Sequence, residues 1–123
     1  MKIDVRTQGI KMTPDLESFI HSEAAETMKS YNHRISKLKV RLKEIHQPNG
    51  MTDIQCCVEV RIKRLQTVVV IKRCDDPYSV VHQTISQAAW STVRLLENQQ
   101  IERYQRNIGR LNLGRQRNLI PAT

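Results

Sequence analysis

The segment Lys37–Lys43 reads Lys-Leu-Lys-Val-Arg-Leu-Lys, with a basic residue at every other position and an apolar one between. On a pleated strand this period of two sends Leu38, Val40 and Leu42 to one face and Lys37, Lys39, Arg41 and Lys43 to the other. Such a strand packs one side on a core and offers a row of cations on the other. Those cations repeat every ~6.6 Å, of the order of the phosphate repeat in an extended nucleic-acid strand. Two plainer accounts fit the segment as well: a solvated sheet face, or charges that keep an exposed edge strand from pairing with other chains.

Composition adds weight to the first account. The chain holds 20 Lys+Arg against 12 Asp+Glu, a net charge of +8 and a pI near 9.8. A surplus of that sign points to a polyanion, nucleic acid before an acidic membrane surface. At 123 residues, one domain with a two-layer core is expected. No run approaches the ~18 apolar residues of a membrane span, and Met1-Lys2-Ile3-Asp4 lacks the apolar stretch of a secretory signal. Three cysteines, two of them adjacent (Cys56 and Cys57), argue against a disulfide framework and for a reducing, cytoplasmic setting.

The alternation recurs along the chain. Met1–Thr7 reads as a strand with Ile3 and Val5 on one side, followed by Gly9 as a turn or bulge. Thr13-Pro14-Asp15 opens a helix: a capping hydroxyl, a proline suited to the first helical position, and a carboxylate for the positive end of the dipole. Leu16, Phe19, Ile20, Ala24, Met28 and Tyr31 form its apolar stripe, and the helix is expected to end near Ser30–Arg34. A strand over Ile35–Ile45, the breaker run Gln47-Pro48-Asn49-Gly50 and a strand over Asp53–Lys63 follow. In the last of these, Ile54, Cys56, Val58, Val60 and Ile62 share one face. A fourth strand, Thr67–Arg73, contains Val68-Val69-Val70-Ile71, which is apolar on both sides, so its inner face is not assigned by periodicity.

Asp76-Pro77 repeats the cap-then-proline start for a long helix to about Arg106, with a stripe of Tyr78, Val81, Ile85, Ala88, Thr92, Leu95, Leu96 and Gln99. Residues 1–106 thus make one α+β domain. Residues 107–123 read as an irregular basic tail carrying Gly109, Gly114 and Pro121. From Asn98 onward five arginines face one glutamate, so half of the net charge lies in the last 26 residues. The order β-α-β-β-β-α specifies a two-layer sandwich with two helices on one face of a four-stranded sheet. The open face then carries Lys2, Arg6, Lys37, Lys39, Arg41, Lys43, Arg61 and Lys63, opposed only by Asp4 and Glu59. No aromatic residue stands among these positions and no GXXG loop is present, which leaves phosphate contact and shape recognition, suited to structured RNA.

Several motifs, taken in order, resemble the short ribosome hibernation-promoting factors and ribosome-associated inhibitors, also known as the sigma-54 modulation protein family. They are Ile3-Asp4-Val5 with Gly9, Met12-Thr13-Pro14-Asp15-Leu16, Ile35 leading into Val40-Arg41-Leu42, and above all Asp76-Pro77-Tyr78-Ser79-Val80-Val81, which is similar to the family's Asp-x-Tyr-x-Ala-Ile. The resemblance spans roughly residues 1–105. It implies a double-stranded-RNA-binding-like fold seated in the decoding region of the small ribosomal subunit, where it would block mRNA and tRNA. It also implies the short form, without the second, dimerising domain of longer members. The family commonly lines the outer faces of both helices with cations; here only Lys29 and Arg94 keep that charge, and Glu23, Glu26, Gln87 and Trp90 stand where cations are expected. Arg103, Arg106 and Arg110, together with the sheet face, are then expected to supply the RNA contacts.

Other residues carry less. Trp90 lies off the apolar stripe and suits partial burial or a protein contact better than base stacking. Tyr78 reads as core, and Tyr104, between Arg103 and Arg106, is open to stacking. His21, His33, His46 and His82 have no metal-ligand spacing, and Cys56 and Cys57 point to opposite faces of a strand. Cys56 is expected in the core, with Cys57 and Cys74 as exposed thiols. There is no phosphate-cradling glycine loop and no nucleophile elbow. The reading is of a non-enzymatic protein without cofactor, metal, membrane or small-molecule substrate, whose partner is the small ribosomal subunit. Two alternatives stand beside it: a structured-RNA-binding protein acting off the ribosome, and a protein-interaction factor whose tail meets an acidic partner.

Overall fold

The computed structural model describes residues 1–111 of the chain, and the side chains of residues 1–100. The elements are β1 (Lys2–Gln8), α1 (Pro14–Thr27), a 3-10 turn (Lys29–Arg34), β2 (Ile35–His46), β3 (Thr52–Ile62), β4 (Val68–Cys74) and α2 (Pro77–Leu111). The sheet runs in chain order, β1-β2-β3-β4. β1 and β2 are parallel, joined by the α1 crossover that parallel pairing requires, while β2–β3 and β3–β4 are antiparallel. β2 is therefore an inner strand with partners on both sides. Its cations do not guard an edge, and that account of Lys37–Lys43 is removed.

Both helices begin as their caps dictate. The Thr13 hydroxyl accepts from the Leu16 amide at 3.2 Å, and the Asp76 carboxylate accepts from the Ser79 amide at 2.8 Å, each just ahead of a proline. α1 stops sooner than expected: its α-helical geometry ends at Thr27, and the chain tightens into the 3-10 turn through Arg34. α2 runs past Arg106 to Leu111, where an irregular stretch was expected from residue 107; residues 112–123 lie outside the described part of the chain. Compactness divides the chain between Thr92 and Val93, inside α2.

In the first unit, Met1–Thr92, the core lies between the helices and one face of the sheet. Leu38, Val40, Leu42, Cys56, Val58 and Val60 from the strands, and Leu16, Ile20, Ala24, Met28, Val80, Val81, Ile85 and Ala88 from the helices, are buried. Phe19 and Tyr78 meet edge to face at 5.0 Å between the two helices. Tyr78 nevertheless remains 39% exposed, less enclosed than its place on the stripe suggested. Val80 and Thr84 are buried beyond the expected stripe. Thr84 enters an apolar layer because its hydroxyl donates to the Val80 carbonyl one turn back, and Thr92 does the same to Ala88.

Two local devices align the strands. A register shift between Ile35 and Lys37 breaks strict alternation, with the Ser36 hydroxyl donating to the Arg61 carbonyl at 3.1 Å. The bulge lets Ile35 enter the core while Lys37, two residues on, points outward. Gly9, just past β1, has φ +78°, and a Cβ there would come within 3.1 Å of the Glu44 Cβ. The backbone conformation and the close approach both call for glycine.

Candidate nucleic-acid interface

Alternation sends every second strand residue to the face away from the helices, and the register aligns these residues in rows across the sheet. From β1 towards β4 the first row is Lys2–Lys37–Arg61, and the second is Asp4–Lys39–Glu59–Val69. The third is Arg6–Arg41–Cys57–Ile71, and the fourth is Gln8–Lys43–Gln55–Arg73. Eight cations thus share a face with two carboxylates. Each carboxylate meets a cation of its own strand: Asp4 meets Arg6 at 3.5 Å and Glu59 meets Arg61 at 3.5 Å. Both are surface pairs of small energetic weight.

Among the described residues, Lys2, Lys37, Lys39, Arg41, Lys43 and Arg73 make no ion pair. Three like-charged pairs stand directly opposite one another: Lys2 with Lys37, Lys37 with Arg61, and Arg6 with Arg41. Like charges facing each other across strands destabilise a sheet. A face required only to be soluble has no physical reason to carry them in register.

The predicted residues divide by element. Lys37, Lys39, Arg41, Lys43 and Arg61 lie on the outward face together, while Lys63 is exposed just past the end of β3. Lys29 is exposed on the 3-10 turn and is not part of the sheet. Arg94 is exposed on α2 in the second unit. Arg103, Arg106 and Arg110 fall on the helical backbone of α2, but their side chains, like that of Tyr104, lie outside the described residues.

Arg73 was missed, as were the outward positions of Val69 and Ile71, which are 56% and 58% exposed. Their signal was hidden because β4 is apolar at four consecutive positions. Only the pairings Val69–Glu59 and Ile71–Cys57 assign its sides.

On the helices, Glu23 pairs with His82 at 3.3 Å, Glu26 is exposed, Gln87 is half-buried and Trp90 is 56% exposed. His46 lies 3.5 Å from Glu44, and the described residues contain no group of histidine, cysteine or carboxylate side chains able to hold a metal ion. No helix among the described residues is long and apolar enough to cross a membrane. The cysteines are free, with Cys56 in the core and Cys57 and Cys74 half-buried. Burial pushes the Cys56 thiol up from 9.0 to about 11; a hydrogen bond with Thr84 opposes the rise and the neighbouring Cys57 adds to it.

No protein-family model matches the chain, and no curated protein matches it by sequence. Solved structures do. The chain is similar to a ribosomal subunit interface protein from Coxiella burnetii, at 15% identity and a TM-score of 0.67, over 79% of this chain and 99% of that one. It is also similar to the Protein Y N-terminal domain from Thermus thermophilus, at 14% identity and a TM-score of 0.62, over 77% of this chain and 99% of that one. The chain therefore has the α+β fold of these two proteins, the fold that its resemblance to the hibernation-promoting factors led us to expect.

Proposed function

We propose that this protein is a translation inhibitor that binds the small ribosomal subunit through its outward sheet face and occludes the path of mRNA and tRNA. The observation that carries the reading is the set of eight cations on the outward sheet face, six of them without an ion pair among the described residues and three pairs of them opposed in register against like-charge repulsion. A ribosomal RNA surface relieves that repulsion by placing phosphates between the cations, with release of counterions. The fold likeness to a ribosomal subunit interface protein supports the choice of partner.

In this reading residues 1–106 are the ribosome-binding part. Lys37, Lys39, Arg41, Lys43, Arg61 and Lys63 contact RNA from the sheet side. Lys29, Arg94, Arg103, Arg106 and Arg110 add contacts from the turn and from α2, and residues 107–123 extend the basic character. The protein acts in the cytoplasm as a hibernation factor in stress or stationary phase, by binding alone and without catalysis.

One observation favours a second reading. Glu23 and Glu26 hold helix positions where the resembling family carries cations, so RNA contact falls more heavily on the sheet. A surface so weighted also suits structured RNA away from the ribosome.

Co-sedimentation of the purified protein with ribosomes and separated subunits, at low and moderate salt, decides between them. Stoichiometric migration with small subunits and whole ribosomes, weakened by salt, is the expected result. Protein that stays at the top of the gradient at both salts, yet binds duplex RNA, would replace the first reading with the second.

A further inference from the structure

The outward face is not a uniform field of cations. In its third row Cys57 is the shortest side chain, set between Arg41 and Ile71, and in the fourth row Gln55 lies beside it on the same strand. The dip opens a concavity of about 630 Å³ on the sheet surface, within the ~300–1,000 Å³ range of small-molecule sites. Its character changes once across the strands. Arg6, Arg41 and Lys43 form the β1–β2 side, the Cys57 thiol lies at the middle, and the Ile71 side chain forms the β4 side, with the Gln55 amide at the margin.

Strand spacing puts Arg6 and Ile71 about 14 Å apart, three intervals of ~4.8 Å. Arg6 meets Asp4 through Nε, which leaves the terminal nitrogens of its guanidinium for another anion. The Ile71 side chain stays largely in water, and phosphate alone gives it nothing to pack against.

The occupant that satisfies both ends carries an anion at one end, a flat apolar surface at the other, and hydrogen-bonding groups along its edge. We infer that the concavity is a subsite for one unpaired nucleotide of single-stranded RNA. Its phosphate lies among Arg6, Arg41 and Lys43, its base lies over Cys57 against Ile71, and the Gln55 amide meets the base edge. The inference rests on the RNA reading of this face and adds to it the demand for an unstacked base. Without an aromatic platform the base packs on aliphatic and thiol surface, so the gain is smaller than that of a stacking site.

The test compares a single-stranded RNA hexamer with an abasic hexamer of the same phosphate count, alongside small ribosomal subunits, for the wild-type protein, Cys57→Leu and Ile71→Ser. The wild type is expected to prefer the base-bearing oligomer by about tenfold. Filling the dip with Cys57→Leu, or stripping its apolar side with Ile71→Ser, is expected to bring the preference within about twofold while abasic binding is unchanged. Ile71 is exposed, so its variant remains informative even if Cys57→Leu fails to fold. Equal binding of the two oligomers by the wild type, with subunits still bound, overturns this inference alone; so does a preference that survives in both variants. Failure to bind either oligomer while subunits are still bound also overturns this inference alone, and failure to bind oligomers and subunits alike overturns the ribosomal reading as well.

Discussion

The triple substitution Lys39→Gln, Arg41→Gln and Lys43→Gln tests the interface quantitatively. These side chains stand on the outward face of an inner strand, and none makes an ion pair among the described residues. Removing them takes three of six unpaired cations from the face. Each phosphate contact contributes about 0.7 to the slope of log affinity against log salt for single strands. Loss of three contacts makes the slope shallower by about 2, so raising salt from about 50 to about 200 mM costs the variant about 20-fold less affinity than it costs the wild type.

The assay is binding to small ribosomal subunits across that salt range, read by co-sedimentation. Thermal melting should show stability within about 0.5 kcal/mol of wild type, because the substitutions are external and relieve the Arg6–Arg41 repulsion. Lys11→Gln with Arg64→Gln is the control, since both residues are exposed and neither lies on a strand. An unchanged slope in the triple variant, or an equal loss in the control, would refute the assignment of the face.

Three further outcomes follow from the fold. Cys56 has a folded pKa of about 11 against 9.0 in the ordinary state, so its protonated form contributes stability in full below pH 9.0 and loses it as pH rises towards 11. The loss is about 3 kcal/mol at most. Chemical denaturation across that window should show a steeper decline in the wild type than in Cys56→Ala, and matching slopes would contradict the buried thiol. Ile85→Ala removes a fully buried side chain from α2 and should cost about 2–5 kcal/mol in urea denaturation; a cost below ~1 kcal/mol would mean that α2 is not seated on the sheet there. Asp76→Ala deletes the acceptor of the Ser79 amide and should lower stability by about 1 kcal/mol, with Asp76→Asn recovering most of it; equal melting of the two variants would argue against the cap.

Much of this protein is written in local pattern. The alternation of residues 37–43 and 54–62 determined which side chains meet core and which meet water, because a strand's period of two leaves no other option once one face is buried. Thr13-Pro14 and Asp76-Pro77 determined where both helices begin, because capping is a matter of neighbouring residues. Where pattern was silent, contacts across the sheet decided. Pairing with β3 put Val69 and Ile71 outward from a strand apolar on both sides. The bulge at Ser36 reversed the alternation at Ile35, and the position of β2 between two partners removed the edge-strand account of its charges.

The candidate site divides in the same way. The cations of β1, β2 and β3 on this face were legible residue by residue. Their opposition in like-charged rows, the addition of Arg73 and the dip at Cys57 depend on register, which joins residues some 10 to 35 positions apart that no local period can relate.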